Sequence, residues 1–519
     1  MPEEDPKKGK LAESFPEASV FEGQPHFFYE VKEPKLLDAE KKIADSLKKV
    51  ILKELSLNEF AVEAKKFAPK QFVIDFDEKI LKTINVSNAL LTLPDAETLS
   101  ALQIALLAII KQHLPLIKNE KAFVGYVLDE TVGYGLFSPL MRDPNLEEVM
   151  VNGWKKPIFV FHKRYGMCKT NLSVFEEGFF LNFLSKIAST VNKKVNERFP
   201  LLDARLPDGS RANATAQYVT PFGPSLTIRK FNRVPLSMID LIANNTISSE
   251  VAAFLWAMVE GFNIEPMNVI ITGGAGTGKT TTLNSLAYFV RQNDRVISIE
   301  DTPELQLGSR LNWIQMEARP PMREIEEVTM DDLLKNALRM RPDRLIVGEV
   351  RGKEAQTMFT AMDTGQRGCM GTLHSNSGRE MLLRLRAPPM NVPEIMLPLL
   401  DLALIQIKMY SKEKGIIRRV SQVLEISRME DKTLLAELFL WHRERDKIEK
   451  TDIPSHALEV LAERTSRTKK EVMREMKIRE KILEWMLEKG IRSSPEVEEI
   501  IQKYYMEPES ILEKVSNEL

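Results

Sequence analysis

Eight residues, Gly273 to Thr280 (Gly-Gly-Ala-Gly-Thr-Gly-Lys-Thr), follow the spacing GxxxxGK[ST], a loop that works only where a buried strand turns into a helix. The flanks satisfy that demand. Met267 to Thr272 is apolar and β-branched, as a buried strand requires, and Thr281 to Val290 carries helix formers. The glycines allow backbone angles that aim successive N–H groups at phosphates, and the helix N-terminus adds roughly half a positive charge there. Lys279 is expected to reach the β and γ phosphates and Thr280 to ligate Mg²⁺; Gly273, Gly274, Ala275, Gly276, Thr277, Gly278 and Thr281 complete the expected nucleotide cradle, which by itself names no substrate.

The chain has 519 residues, too many for one ordinary core. Its 72 Lys+Arg against 74 Asp+Glu leave a net charge of −2, which gives no global footprint for nonspecific nucleic-acid binding. Cys168 and Cys369 are the only cysteines, which excludes a disulfide framework or a cysteine-rich zinc module and favours a reducing compartment. The N-terminus lacks the apolar core of a signal peptide. The most apolar run, Leu99 to Ile110, is shorter than the roughly 18 residues of a membrane span, so no transmembrane segment is expected.

Texture divides the chain. Residues 1–30, rich in Pro, Glu and Lys, read as a flexible tail, and 31–122 as a helical N-terminal module with Leu47, Val50, Ile51, Leu55, Leu106, Ile109 and Ile110 at helical spacing. Residues 123–235 alternate short apolar pieces with Asn152-Gly153 and Asp208-Gly209 turns, as a small α+β domain does. A hinge or linker is expected over 236–248, with Asn232 to Ser237 as its root because Pro235 opposes regular structure. From 249 to 519, strand candidates at Val269–Thr272, Val296–Ile299, Leu345–Val347, Cys369–Leu373 and Leu402–Ile407 alternate with helices. That alternation predicts an α/β domain with a mostly parallel sheet, followed by a hairpin around Arg418–Leu424 and Leu434–Leu440 and a helical tail from Lys469.

Three strand ends carry chemistry. Glu300, Asp301 and Glu304 follow one strand and are expected beside the phosphate loop, suited to magnesium and water. Glu349 ends another, where Gly348 replaces the usual Walker B aspartate, and can orient an attacking water. His374 follows a third strand and could stabilise the γ phosphate. An acidic cluster after a strand is by itself more often a helix-capping turn, and a lone histidine an ordinary polar residue. Convergence at one sheet edge after a phosphate loop is what favours catalysis.

With these residues in view, the chain resembles the type II/type IV secretion superfamily of ATPases. Four motifs carry the resemblance: the phosphate loop; an Asp box, Ile299 to Glu304; a Walker B element, Arg341 to Arg351; and a His box from Thr364-Gly365 to Thr372-Leu373-His374-Ser375-Asn376. Upstream, Gly135 to Asn152-Gly153, Asp203 to Arg211 and Leu226 to Phe231 resemble the family's N-terminal domain. Two departures stand out. Gln366 occupies the first histidine position of the His box, and two isolated cysteines cannot build the zinc subdomain of bacterial type II members. The archaeal, general secretory pathway protein E-like branch, related to archaeal flagellum and pilus assembly ATPases, is the better match.

The resemblance implies a PAS-like domain hinged against a RecA-like domain with nucleotide between them, a homo-hexamer, and a polytopic membrane platform protein as partner at the cytoplasmic face of the membrane. It also implies Arg205, Arg211 and Arg229 as candidates for a charge-stabilising arginine, Glu349 as the water-orienting carboxylate, and Glu304 or Glu300 as magnesium or water support. Asp301 and Thr280 are the metal candidates, with ATP and Mg²⁺ as cofactors. Two other functions remain open: a nucleic-acid translocase of conjugation or DNA uptake, and a nucleotide-gated scaffold with negligible turnover.

Overall fold

The computed structural model describes residues 10–15, 17–23, 25–32, 36–51, 93, 96–113, 117–175, 177–231, 235–308, 310–319, 326–411, 414–429 and 432–518. Two compact units divide the chain, Met1–Asn232 and Arg233–Leu519.

The first unit is built on nine strands: β1 (Leu11–Ser14), β2 (Ala18–Phe21), β3 (Phe27–Val31), β4 (Leu146–Asn152), β5 (Pro157–His162), β6 (Gly166–Ser173), β7 (Leu201–Arg205), β8 (Arg211–Thr215) and β9 (Ser225–Arg229). They form one sheet in the order β1-β2-β3-β6-β5-β4-β9-β8-β7, antiparallel except where β3 meets β6. Its helices are α1 (Asp38–Ile51), α2 (Ala96–His113), α3 (Glu120–Thr131), α4 (Ser138–Arg142) and α5 (Glu177–Thr190). The stretch expected as a flexible tail therefore carries β1 to β3. Ala18, Val20, Tyr29 and Val31 bury into the same core as Val149, Ile158 and Val160, which outweighs the polar composition around them. The helical pattern expected over 31–122 appears in α1, α2 and the start of α3; residues 52–92, including Leu55, lie outside the described residues.

The second unit opens on α6 (Met238–Ala243), where a linker was expected over 236–248. Ser237 and Asp240 form a reciprocal capping box, and Met238, Ile239, Leu241 and Ile242 are buried. Of the expected hinge root, residues 232–234 lie outside the described residues. Then come α7 (Ser249–Glu260), β10 (Val269–Gly273), α8 (Lys279–Ala287), β11 (Val296–Glu300), β12 (Trp313–Glu317), α9 (Met330–Ala337), β13 (Arg344–Val350), α10 (Glu354–Asp363), β14 (Met370–Leu373), α11 (Gly378–Arg386) and β15 (Leu402–Ser411). The sheet continues through β16 (Gly415–Met429), β17 (Lys432–His442) and β18 (Lys447–Lys450), and the chain finishes in α12 (His456–Arg464), α13 (Lys469–Glu488), α14 (Ser494–Met506) and α15 (Pro508–Glu518).

Strand order in this sheet is β12-β11-β13-β14-β10-β15-β16-β17-β18, parallel from β12 to β15 and antiparallel beyond. This is the RecA-like α/β arrangement. The five β10 residues are all buried, as are the five of β11, so helices cover both faces of the parallel part. Among the described residues no helix is long and apolar enough to cross a membrane.

The C-terminal helices pack on the far end of α8. Gln502 donates to the carbonyls of Tyr288 (3.3 Å) and Val290 (2.9 Å) and accepts from Gln292 N–H at 2.8 Å, while Tyr505 Oη donates to Phe289 O at 2.7 Å. Trp256 stacks on Phe289 with centroids 5.2 Å apart and donates to Tyr505 Oη. A buried carboxylate ties α7 to α13: Glu260 accepts from Arg479 at 3.0 Å and from Arg291 at 2.7 Å.

Candidate nucleotide site

Residues 273–278 connect β10 to α8, and the loop can turn only because Gly276 (φ +67°) and Gly278 (φ +93°) accept left-handed angles. A Cβ on Gly273 would lie 2.2 Å from the Gln406 carbonyl of β15, so that position needs glycine as well. Lys279 is buried and donates to the carbonyls of Gly273 and Gly274, both at 2.9 Å, which draws the ammonium into the mouth of the loop. Gly278 caps α8 without a side-chain bond, so the N–H groups of the first turn stay available to an anion. Thr280 and Thr281 are half-buried in that turn.

Glu349 is placed by a bulge. Along β13 and β14, Val347 pairs with Gly371 and Val350 with Leu373, so Gly348 and Glu349 together oppose Thr372 alone. Thr372 Oγ1 donates to Gly348 O at 2.6 Å and fixes the irregularity. Burial pushes the Glu349 carboxyl up, but the Arg351 guanidinium, 2.6 Å away, together with the charges of Lys279 and His374, holds it below the usual range. Glu349 is therefore ionised and electrostatically linked to both the loop lysine and the His-box histidine.

The acidic cluster after β11 is split. Two strands, β13 and β14, stand between β11 and β10, so Glu300, Asp301 and Glu304 are not delivered by a strand next to the phosphate loop, as expected, but from roughly 14 Å across the sheet, three spacings of about 4.8 Å. Glu300 is 1 % exposed; its Oε1 accepts from the N–H groups of Glu304 (2.8 Å) and Leu305 (2.9 Å) and its Oε2 from Gln315 Nε2 (2.7 Å). It holds the turn. It also explains Gly348, because a Cβ there would stand 2.9 Å from Glu300 Cγ. Asp301 lies 3.7 Å from Arg351, the same guanidinium that binds Glu349, and Glu304 adds its charge to that cluster.

Ser375 locks the His box to the loop strand: Thr272 Oγ1 donates to Ser375 O at 2.9 Å and accepts from Ser375 N–H at 3.0 Å. His374, one residue past β14, thus stands at the phosphate-loop edge, and Asn376 Oδ1 is 3.2 Å from where a Cβ on Gly274 would be. Gln366 lies at the opposite end of the strands, its amide 3.3 Å from the carbonyl of Asp343 just before β13. The two histidine positions of the motif are therefore at opposite sheet edges.

In the first unit, register brings the three motif arginines into one row. Arg205 pairs with Arg211 across β7 and β8, and Arg211 with Arg229 across β8 and β9. Like charges directly opposite on neighbouring strands oppose folding. Asp203 at 3.5 Å from Arg211 and Glu148 opposite Arg229 offset part of that cost. Such a row suits a polyanion.

Sequence reasoning missed three residues on the hairpin that follows the catalytic strands. Gln406 accepts from Thr282 of α8 at 3.1 Å, Arg418 Nε donates to the Gly276 carbonyl at 2.9 Å, and Lys408 is the register partner of Arg418. No local motif marks them; only the β15–β16 register does. For Mg²⁺, no group of three or more His, Cys, Asp or Glu side chains that could hold a metal occurs among the described residues. A nucleotide-borne Mg²⁺ needs no such cage, since it keeps waters and phosphate oxygens and takes one or two protein ligands. The Thr280 hydroxyl, in the first turn of α8, fits that requirement.

The sequence model of a family described as type II/IV secretion system protein matches residues 135–485. A protein of Methanocaldococcus jannaschii described as uncharacterized is 52% identical over 239 residues, 46% of this chain and 33% of that relative, so the chain spans about a third of its length. A second from the same organism, also described as uncharacterized, is 36% identical over 390 residues, 73% of this chain and 69% of the relative. Among solved structures, the Legionella pneumophila ATPase DotB is 19% identical with a TM-score of 0.39, covering 57% of this chain and 81% of that one.

Proposed function

The chain belongs to the type II/IV secretion system protein family, and from that premise we propose that it is an ATP-hydrolysing motor of a secretion, pilus or archaeal-flagellum-like assembly system. The observation that carries the reading is the convergence of Lys279, Glu349 and His374 at one sheet edge, with Glu349 held ionised by its surroundings. Phosphoryl transfer is chiefly positioning and charge stabilisation, and these residues supply both. Lys279 and the α8 N-terminus bind the phosphates. Glu349 orients the attacking water and accepts its hydrogen bond. His374 contacts the γ phosphate side. With Mg-ATP bound, the Thr280 hydroxyl would hold the metal, whose charge would neutralise the phosphates. The arginine row is the source of the residue that meets charge developing in the transition state, and Glu304 and Asp301 act through Arg351 on Glu349.

As a motor of this class the protein works as a homo-hexamer on a membrane platform protein at the cytoplasmic face, without a stable nucleic-acid partner. The test is phosphate release from Mg-ATP by the purified chain, with and without single- and double-stranded DNA. Turnover independent of DNA is expected. DNA stimulation of tenfold or more favours the translocase reading, and ATP binding with no release favours the scaffold.

A further inference from the structure

The β15–β16 hairpin presses two cations against the phosphate loop from the side opposite Glu349. Lys408 and Arg418 face each other in register. Arg418 Nε donates to Gly276 O at 2.9 Å, and its Cδ would lie 3.5 Å from a Cβ on Gly278. The Lys408 ammonium would lie 3.0 Å from a Cβ on Gly276. Two residues earlier on the same face of β15, buried Gln406 stands 3.3 Å from the equivalent point on Gly278 and accepts from Thr282 of α8. One strand face therefore touches the loop at Gly276, at Gly278 and at the helix that follows.

Two like charges opposite one another on paired strands are unfavourable for the hairpin itself. The loop residues 273–280 contain no acidic side chain, yet three cations, Lys279, Lys408 and Arg418, converge on them. An anion in the loop is attracted by all three. We propose that Lys408 and Arg418 are nucleotide-positioning residues: Arg418 fixes the loop through Gly276, and the pair adds positive charge behind the phosphates of a nucleoside di- or triphosphate. The inference rests on the ATP-binding reading above and extends it to a hairpin that no phosphate-loop motif includes.

The experiment measures affinity of the full chain for a fluorescent ATP analogue, with ADP and AMP as competitors, at two salt concentrations. Lys408→Ala combined with Arg418→Ala is expected to weaken ATP and ADP about tenfold or more, to leave AMP within about threefold, and to flatten the salt dependence. Arg418→Gln keeps a donor for the Gly276 carbonyl but no charge, and is expected to remain weakened, whereas Arg418→Lys recovers part of the affinity. Thermal unfolding without nucleotide reports on folding of each variant. Unchanged ATP affinity in the double variant, equal losses for ATP and AMP, or full recovery in Arg418→Gln overturns the proposal. Lys279→Ala separates the two levels: wild-type ATP affinity there sinks the ATP-binding reading itself, while lost affinity there beside an unaffected double variant sinks only the hairpin's part.

Discussion

Gly348 shows how one residue can record a choice between two carboxylates. The position that carries aspartate in other phosphate-loop enzymes is glycine here because Glu300 fills the space, fixed by three hydrogen bonds at 1 % exposure. Gly348→Ala should therefore cost about 1–3 kcal/mol of unfolding free energy through overpacking, read as a lower urea midpoint with an unchanged slope. A neutral substitution would mean that Glu300 moves freely. The arginine row makes a kinetic prediction: Arg211→Ala or Arg229→Ala should leave ATP affinity within about tenfold and cut turnover by about 10³ if that residue is the charge-stabilising one. Unchanged turnover in both returns the row to a structural part. The motif named these arginines, but only register shows that they share a row; likewise, the motif put Glu300 among the candidates, and only burial shows it to be consumed by a turn.

At the scale of elements, the phosphate-loop helix α8 is held at both ends by parts distant in sequence. Its first turn meets Gln406 of the hairpin through Thr282, the loop just before it meets Arg418 through Gly276, and the carbonyls past its last turn are taken by Gln502 and Tyr505 of α14. Gln502→Ala leaves the Tyr288 carbonyl and the Gln292 N–H without that partner, while the Val290 carbonyl keeps Arg310, which should lower stability by about 1–3 kcal/mol, measurable by thermal or urea unfolding. A change under 0.5 kcal/mol would show that water replaces the side chain. All the parallel strands but β12, and α8, were legible in the sequence because buried β-branched runs and glycine spacing are local signals; β12, an edge strand with no fully buried residue, was missed. The short strands β1 to β3 were not, since four or five residues among prolines and charges carry too little periodicity; β2 and β3 gain their burial from the shared core, and β3 its pairing from β6. The bulge at Gly348 and Glu349 was equally invisible, being a property of pairing with β14.

The molecule comprises a nine-stranded α+β unit bearing a row of arginines and a RecA-like unit bearing the phosphate loop, the bulged glutamate and the His box. Strand order explains which motif residues converge: β14 lies between β13 and β10, so Glu349 and His374 flank the loop strand's edge while the β11 carboxylates stand farther off. The central claim of the proposal is that Glu349 drives hydrolysis of an ATP held by Lys279. The most direct test pairs ATP binding with single-turnover phosphate release in Lys279→Ala and Glu349→Gln. Both variants should lose turnover by at least about 10²-fold, with ATP affinity retained in Glu349→Gln and lost in Lys279→Ala. Equal loss of binding in the two, or near-normal hydrolysis by Glu349→Gln, would contradict the account.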